Sequence, residues 1–133
     1  MYRVLLGIGD DEARAREQAA FVSGLPDAPS SVEAILLHSF VDNPAGASIT
    51  QLAAVRRASD RLDDAGIEYT YVETSGDPVA EILEAAEAHD VDVICLSGRK
   101  RTPTGKAVFG SVTQGVMLDS ERPVVTVQPR SEE

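Results

Sequence analysis

Residues 91–127 read VDVICLSGRKRTPTGKAVFGSVTQGVMLDSERPVVTV. The opening run, Val91-Asp92-Val93-Ile94-Cys95-Leu96, is short, apolar and rich in β-branched residues, as a buried strand requires. Ser97-Gly98 ends it. A basic loop from Arg99 to Lys106 follows, with Pro103 and Gly105 inside it. Gly110-Ser111 then opens a helix with Ser111 as the expected N-cap, and the helix runs to about Asp119. After Pro123 comes a second apolar strand, Val124-Val125-Thr126-Val127. Strand, loop and helix start in this order favour an anion, because unpaired backbone N–H groups and the positive end of the helix dipole converge there.

Outward from this stretch the same alternation repeats. Residues 78–88 predict a helix with Val79, Ile82, Leu83 and Ala86 inward. Ser75-Gly76-Asp77-Pro78 supplies its turn, cap and first-turn proline in sequence. Residues 67–73 alternate Ile67, Tyr69 and Tyr71 with Glu68, Thr70 and Val72, a pattern suited to an edge strand. Residues 48–65 read as the longest helix, with Leu52, Val55, Ser59 and Leu62 inward and Gly66 as the C′ residue. Residues 32–40 are a strand centred on Ala34-Ile35-Leu36-Leu37, joined to that helix by a connection containing Pro44 and Gly46. Residues 3–8 are the first strand. Asp10 or Asp11 caps a helix that ends near Ser23, with Ala15, Ala19 and Val22 inward and Arg14, Glu17 and Gln18 outward. Gly24 and Pro26 stop it, residues 26–31 are a loop, and Ser131-Glu132-Glu133 is expected to fray.

The order βαβαβαβαβ predicts one α/β domain over residues 1–133. Its five strands form an open parallel sheet with helices on both faces and right-handed crossovers. Ligands of such sheets bind outside the C-terminal strand ends, where the strand order reverses.

The chain has 133 residues, 43% of them apolar, enough to bury a core. A net charge of −10 argues against a general nucleic-acid binder. No apolar run reaches membrane-spanning length, the N-terminus has no signal-peptide pattern, and the single cysteine, Cys95, has no internal partner. A cytoplasmic location follows as the expectation. His38 and His89 fall in different elements without a cysteine or carboxylate at ligand spacing, so neither a metal nor a catalytic histidine is expected. Cys95 lies mid-strand among apolar residues, as a packing thiol does. Ser97 and Ser111 lack a GxSxG context, and no triad can be assembled.

Ten of the twelve basic residues are arginine, and the two lysines, Lys100 and Lys106, share one loop with Arg99 and Arg101. Abundant carboxylates with scarce lysine suit molar salt, where a strongly hydrated acidic surface stays soluble. The alternative is an ordinary acidic cytosolic protein.

The C-terminal pattern resembles that of the universal stress protein family, in which a buried strand is followed by Gly-x2-Gly-x9-Gly-Ser/Thr. Gly110-Ser111-Val112-Thr113 and Arg122-Pro123-Val124-Val125-Thr126-Val127 match it. The two earlier glycines do not. Counting back puts Ser97 and Lys100 in their places, or, with a one-residue shift, Gly98 and Arg101. At the end of the first strand, where nucleotide-binding members carry an Asp against the nucleoside, Gly9 stands and Asp10 follows.

The resemblance spans nearly the whole chain. It implies strand order 3-2-1-4-5, with the reversal between the first and fourth strands. It implies a non-enzymatic stress-response protein with a site for ATP, AMP or another anion. Gly7, Ile8, Gly9, Asp10, Ser39, Leu96, Ser97, Gly98, Arg99, Lys100, Arg101, Gly110, Ser111 and Val112 would form that site. Phe40, beside the family's base pocket, would either stack on a base or close the end of the core, and the core role is the expectation. The resemblance also implies a homodimer joined along Val124, Val125, Thr126 and Val127, which covers an otherwise exposed apolar edge. Two other readings stand beside it. One keeps the dimer without a nucleotide, since the glycines are replaced; the other is a subunit of an ATP- or flavin-using α/β enzyme.

The acidic, lysine-poor composition carries a test of its own. The melting temperature, followed by circular dichroism, should rise between low and molar KCl or NaCl. A flat or falling melting temperature rejects salt adaptation.

Overall fold

Three successive apolar residues, Val4, Leu5 and Leu6, need cover on both faces of their strand, and all three are fully buried. They form the centre of β1 (Tyr2–Gly7) in the computed structural model, which describes residues 1–41, 46–98 and 109–128. β1 pairs in parallel with β2 (Val32–Phe40) on one side and β4 (Val93–Ser97) on the other. β3 (Glu68–Ser75) lies outside β2, and β5 (Val124–Val127) outside β4. The order is β3-β2-β1-β4-β5, so the reversal falls between β1 and β4 as expected. The basic loop with Arg99, Lys100, Arg101 and Lys106 lies outside the described residues, as do Pro44 and Ser131-Glu132-Glu133.

The pleat sends alternate residues of each strand to opposite layers. Val4, Leu6, Ala34, Leu36, Val93 and Cys95 meet α1 (Glu12–Ser23) and α3 (Ala53–Asp64). Leu5, Ile35, Leu37, Ile94 and Leu96 meet α4 (Pro78–Ala88) and α5 (Ser111–Asp119). Burial pushes the Cys95 thiol up to about 12, which leaves it a packing group. Arg122 donates from Nε to the Val91 carbonyl at 2.8 Å. The Arg-Pro pair before β5 thus fastens the entry of β4.

Several expectations are corrected. Residues 26–31 contain a short helical turn, α2 (Ala28–Ser31), because Ser30 and Ser31 donate backbone bonds to Asp27. Residues 48–65 are not one helix. Ile49–Gln51 forms a 3₁₀ turn, Leu52 is extended at φ −80° and ψ 126°, and only then does α3 begin. Gln51 turns its side chain back to the Ser48 N–H at 2.8 Å, and Glu73 of β3 takes the Ile49 N–H at 2.7 Å. The first interaction closes the turn on itself and the second ties it to β3. The α1 cap is Asp11, whose Oδ1 accepts from the Arg14 N–H at 2.9 Å. Gly110, extended at φ −74° and ψ 170°, caps α5, which leaves Ser111 as the first helical residue.

Gln18 is the largest departure. Its polarity predicts an outward side chain, yet it is 1% exposed. Its amide Nε2 donates to the Gly7 carbonyl at 2.9 Å and to the Cys95 carbonyl at 3.0 Å. Position 18 falls on the same helical stripe as Ala15 and Val22, so geometry turns it inward and two strand carbonyls satisfy it. Gln18→Leu removes both of these buried bonds and should lower unfolding free energy by about 2 kcal/mol in a denaturant titration. An unchanged midpoint would show that those carbonyls find other partners.

Candidate functional site

At the reversal, α1 leaves β1 toward one face of the sheet and α5 follows β4 on the other. A crevice must open between them. It holds a cavity of about 310 Å³, at the small end of the roughly 300–1,000 Å³ range of small-molecule sites. Gly7, Ile8 and Gly9 supply the β1 side, Leu96 and Ser97 the β4 side, and Leu37, His38 and Ser39 the end of β2. Arg14 comes from α1, Pro78 and Ile82 from α4, and Gly110, Ser111, Val112 and Thr113 from the start of α5.

Local bonds fix most of these walls. A Cβ on Gly7 would stand 2.7 Å from Leu96 Cδ2 and 3.1 Å from Ile82 Cδ1, so glycine lets these side chains close under the cavity. His38 Nδ1 lies 2.7 Å from the Ile8 carbonyl. A carbonyl only accepts, so Nδ1 carries the proton and Nε2 of the neutral ring is left as an acceptor. Phe40 is buried and meets the His38 ring edge-on, with centroids 4.7 Å apart, which gives it the core role expected of it. Ser39 Oγ donates to the Gly76 carbonyl at 3.1 Å, and the Gly76 N–H returns a bond to Phe40. That pair brings the segment before Pro78 against the end of β2.

On the other side, Thr113 Oγ1 donates to the Ser97 carbonyl at 3.0 Å and ties the first turn of α5 to β4. The N–H groups of Ser111 and Val112 stand in that first turn, where backbone donors have no intrahelical acceptor. Leu37, Ile82 and Leu96 give the cavity an apolar portion beside these polar ones.

Of the residues inferred from the sequence, Gly7, Ile8, Gly9, Ser39, Leu96, Ser97, Gly110, Ser111 and Val112 line this cavity. Asp10 is exposed and off its wall. Gly98 is off it as well: its N–H bonds Val127 at 2.7 Å, and a Cβ there would meet Gln128 Nε2 at 3.0 Å. Close packing under Gln128 accounts for that glycine. Arg99, Lys100 and Arg101 lie outside the described residues.

The sequence reading left out Arg14, Leu37, His38, Pro78, Ile82 and Thr113. Thr113 had a usable signal, since it stands in the same Gly110-Ser111-Val112-Thr113 motif. Arg14 was assigned outward and is instead on the cavity wall. Among the described residues, no group of three or more His, Cys, Asp or Glu side chains is placed to hold a metal ion. No helix there is long and apolar enough to cross a membrane.

A sequence model of the universal stress protein family matches residues 1–128. The chain belongs to the universal stress protein family. It is 27% identical over 122 residues to a universal stress protein of Mycolicibacterium smegmatis, covering 91% of this chain and 84% of that one. The solved structure of a universal stress protein from Methanocaldococcus jannaschii superposes with a TM-score of 0.77 at 24% identity, covering 98% of each chain. A family member from Arabidopsis thaliana, solved with AMP bound, superposes with a TM-score of 0.73 at 15% identity. That match covers all of this chain (100%) and 95% of the other. These structures share the five-stranded fold.

Proposed function

We propose that this universal stress protein binds an adenine nucleotide, AMP or ATP, or a simpler anion, in the cavity between β1 and β4. It would act as a non-enzymatic, homodimeric stress-response protein of the cytoplasm, with an acidic surface adapted to high salt. One observation carries the nucleotide reading: a single cavity joins the start of α5 to an apolar portion made by Leu37, Ile82 and Leu96. Phosphate suits the first, where backbone donors and the helix dipole meet. A purine suits the second. The AMP held by the Arabidopsis relative, which shares the fold, supports the same assignment.

A second reading drops the nucleotide and keeps the dimer. Two observations favour it: Lys100 or Arg101 stands where the pattern has its second glycine, and Gly98 is explained by packing under Gln128. An ATP- or flavin-using enzyme subunit has no such observation behind it.

Calorimetric titration with ATP, ADP, AMP and sulfate separates these readings. Wild type should bind at least one of them at millimolar concentration or below. Ser111→Ala should weaken that binding by about 1 kcal/mol through a lost hydrogen bond. Absence of binding by wild type gives the decision to the second reading.

The dimer rests on the edge formed by β5. Val124, Val125, Thr126 and Val127 are all half-buried, and Met117 and Leu118 just before them are 44% and 84% exposed. An apolar edge strand favours pairing with a second copy about a two-fold axis. Val125→Pro removes a ladder donor and should shift the protein toward monomer in light scattering. A dimer that persists places the interface elsewhere.

A further inference from the structure

We propose that Arg14 is the phosphate-reading residue of the cavity, a cation supplied by α1 that makes the site prefer a phosphate monoester to the corresponding uncharged nucleoside. This rests on the anion-site reading above and adds a residue outside the glycine motif and the basic loop.

Arg14 is the one arginine, lysine or carboxylate residue among those lining the described cavity. Of the other polar side chains there, His38 is engaged with Ile8, Ser39 with Gly76 and Thr113 with Ser97, while Ser97 and Ser111 offer neutral hydroxyls. The Arg14 side chain as a whole is 31% exposed. Its Nε is sealed from solvent and has no hydrogen-bond partner among the described residues. Its ion pair is to Asp11 Oδ2 at 3.9 Å, too long for a hydrogen bond, while Asp11 Oδ1 is used in capping α1. Asp11 therefore sets a charge beside the guanidinium without occupying its donors.

A buried donor without an acceptor calls for a ligand atom to complete it. The planar guanidinium fork matches the oxygen spacing of a phosphate and forms charge-assisted bonds to it. The start of α5 lines the same cavity and contributes backbone donors. Position is well defined: Gln18, one turn further along the same helix face, bolts α1 to β1 and β4. In a chain of net charge −10, one such cation placed on the cavity wall supplies attraction that the surface as a whole opposes.

The test titrates AMP and adenosine against wild type, Arg14→Met, Arg14→Lys and Arg16→Met at fixed ionic strength. Arg16 is exposed, so its substitution makes the same charge change at a solvent-facing position. Arg14→Met should weaken AMP by about tenfold or more and leave adenosine unchanged. Arg14→Lys should fall between, because it keeps the charge and loses the fork. Arg16→Met should leave AMP unchanged. Denaturation midpoints of all four proteins identify any variant that has lost its fold. Should Arg14→Met have lost its fold, Arg14→Lys decides in its place, and AMP binding by it equal to that of wild type overturns the role. AMP binding that is equal in wild type and Arg14→Met, or weakened equally by Arg14→Met and Arg16→Met, overturns the role of Arg14 while the nucleotide site stands. Wild type that binds neither ligand overturns both.

Discussion

Gln18 sits buried on α1 and gives one amide nitrogen to two backbone carbonyls, those of Gly7 and Cys95. These belong to β1 and β4, the pair at which the strand order reverses. At that place the sheet has a mechanical problem. The helices after the two strands depart to opposite faces, so neither covers the gap between the strand ends. A side chain reaching in from α1 gives a donor to a carbonyl near the end of each strand and so ties the helix to both. The crevice opens just beyond that tie.

The site divides its work among elements that the chain order keeps far apart. The start of α5 contributes backbone donors, held against β4 by the Thr113–Ser97 bond. The ends of β1 and β2 contribute a wall ordered by His38 and Ser39. Leu96 and Ile82 form the apolar part, and Gly7 leaves them room. No single element forms the cavity by itself. Electrostatics follow the same division, since an acidic chain can attract an anion only where cations and dipoles are locally concentrated. The fold puts one arginine, Arg14, on the wall of the cavity that the start of α5 also lines.

The two sheet edges are treated differently. β3 carries Glu68 and Glu73 and a half-covered face, as befits an edge that should stay unpaired. β5 carries no charge at all. That asymmetry is what association through one edge, and not the other, needs.

The sequence by itself determined the elements and their class. Alternation of strand and helix periods is written within a few residues, so β1, β2, α4 and β5 were legible with small shifts at their ends. Their order in the sheet followed from the family resemblance, and the crevice followed from the rule for reversed parallel sheets. Tertiary structure decided where polar side chains found partners. Gln18 looked like a surface residue because hydropathy scores a side chain without its acceptors, which lie 11 and 77 positions away. The helix expected from residue 48 is interrupted at the extended Leu52, and Glu73, 24 positions after Ile49, ties the preceding turn to β3. Gly98 looked like a ligand-facing glycine until Gln128 was found packed on it. Arg14, a charged residue, reads as outward from the sequence, and the fold sets it half-buried on the cavity wall. Local pattern records what a residue is next to along the chain, whereas a buried donor is settled by an acceptor that only folding brings within 3 Å.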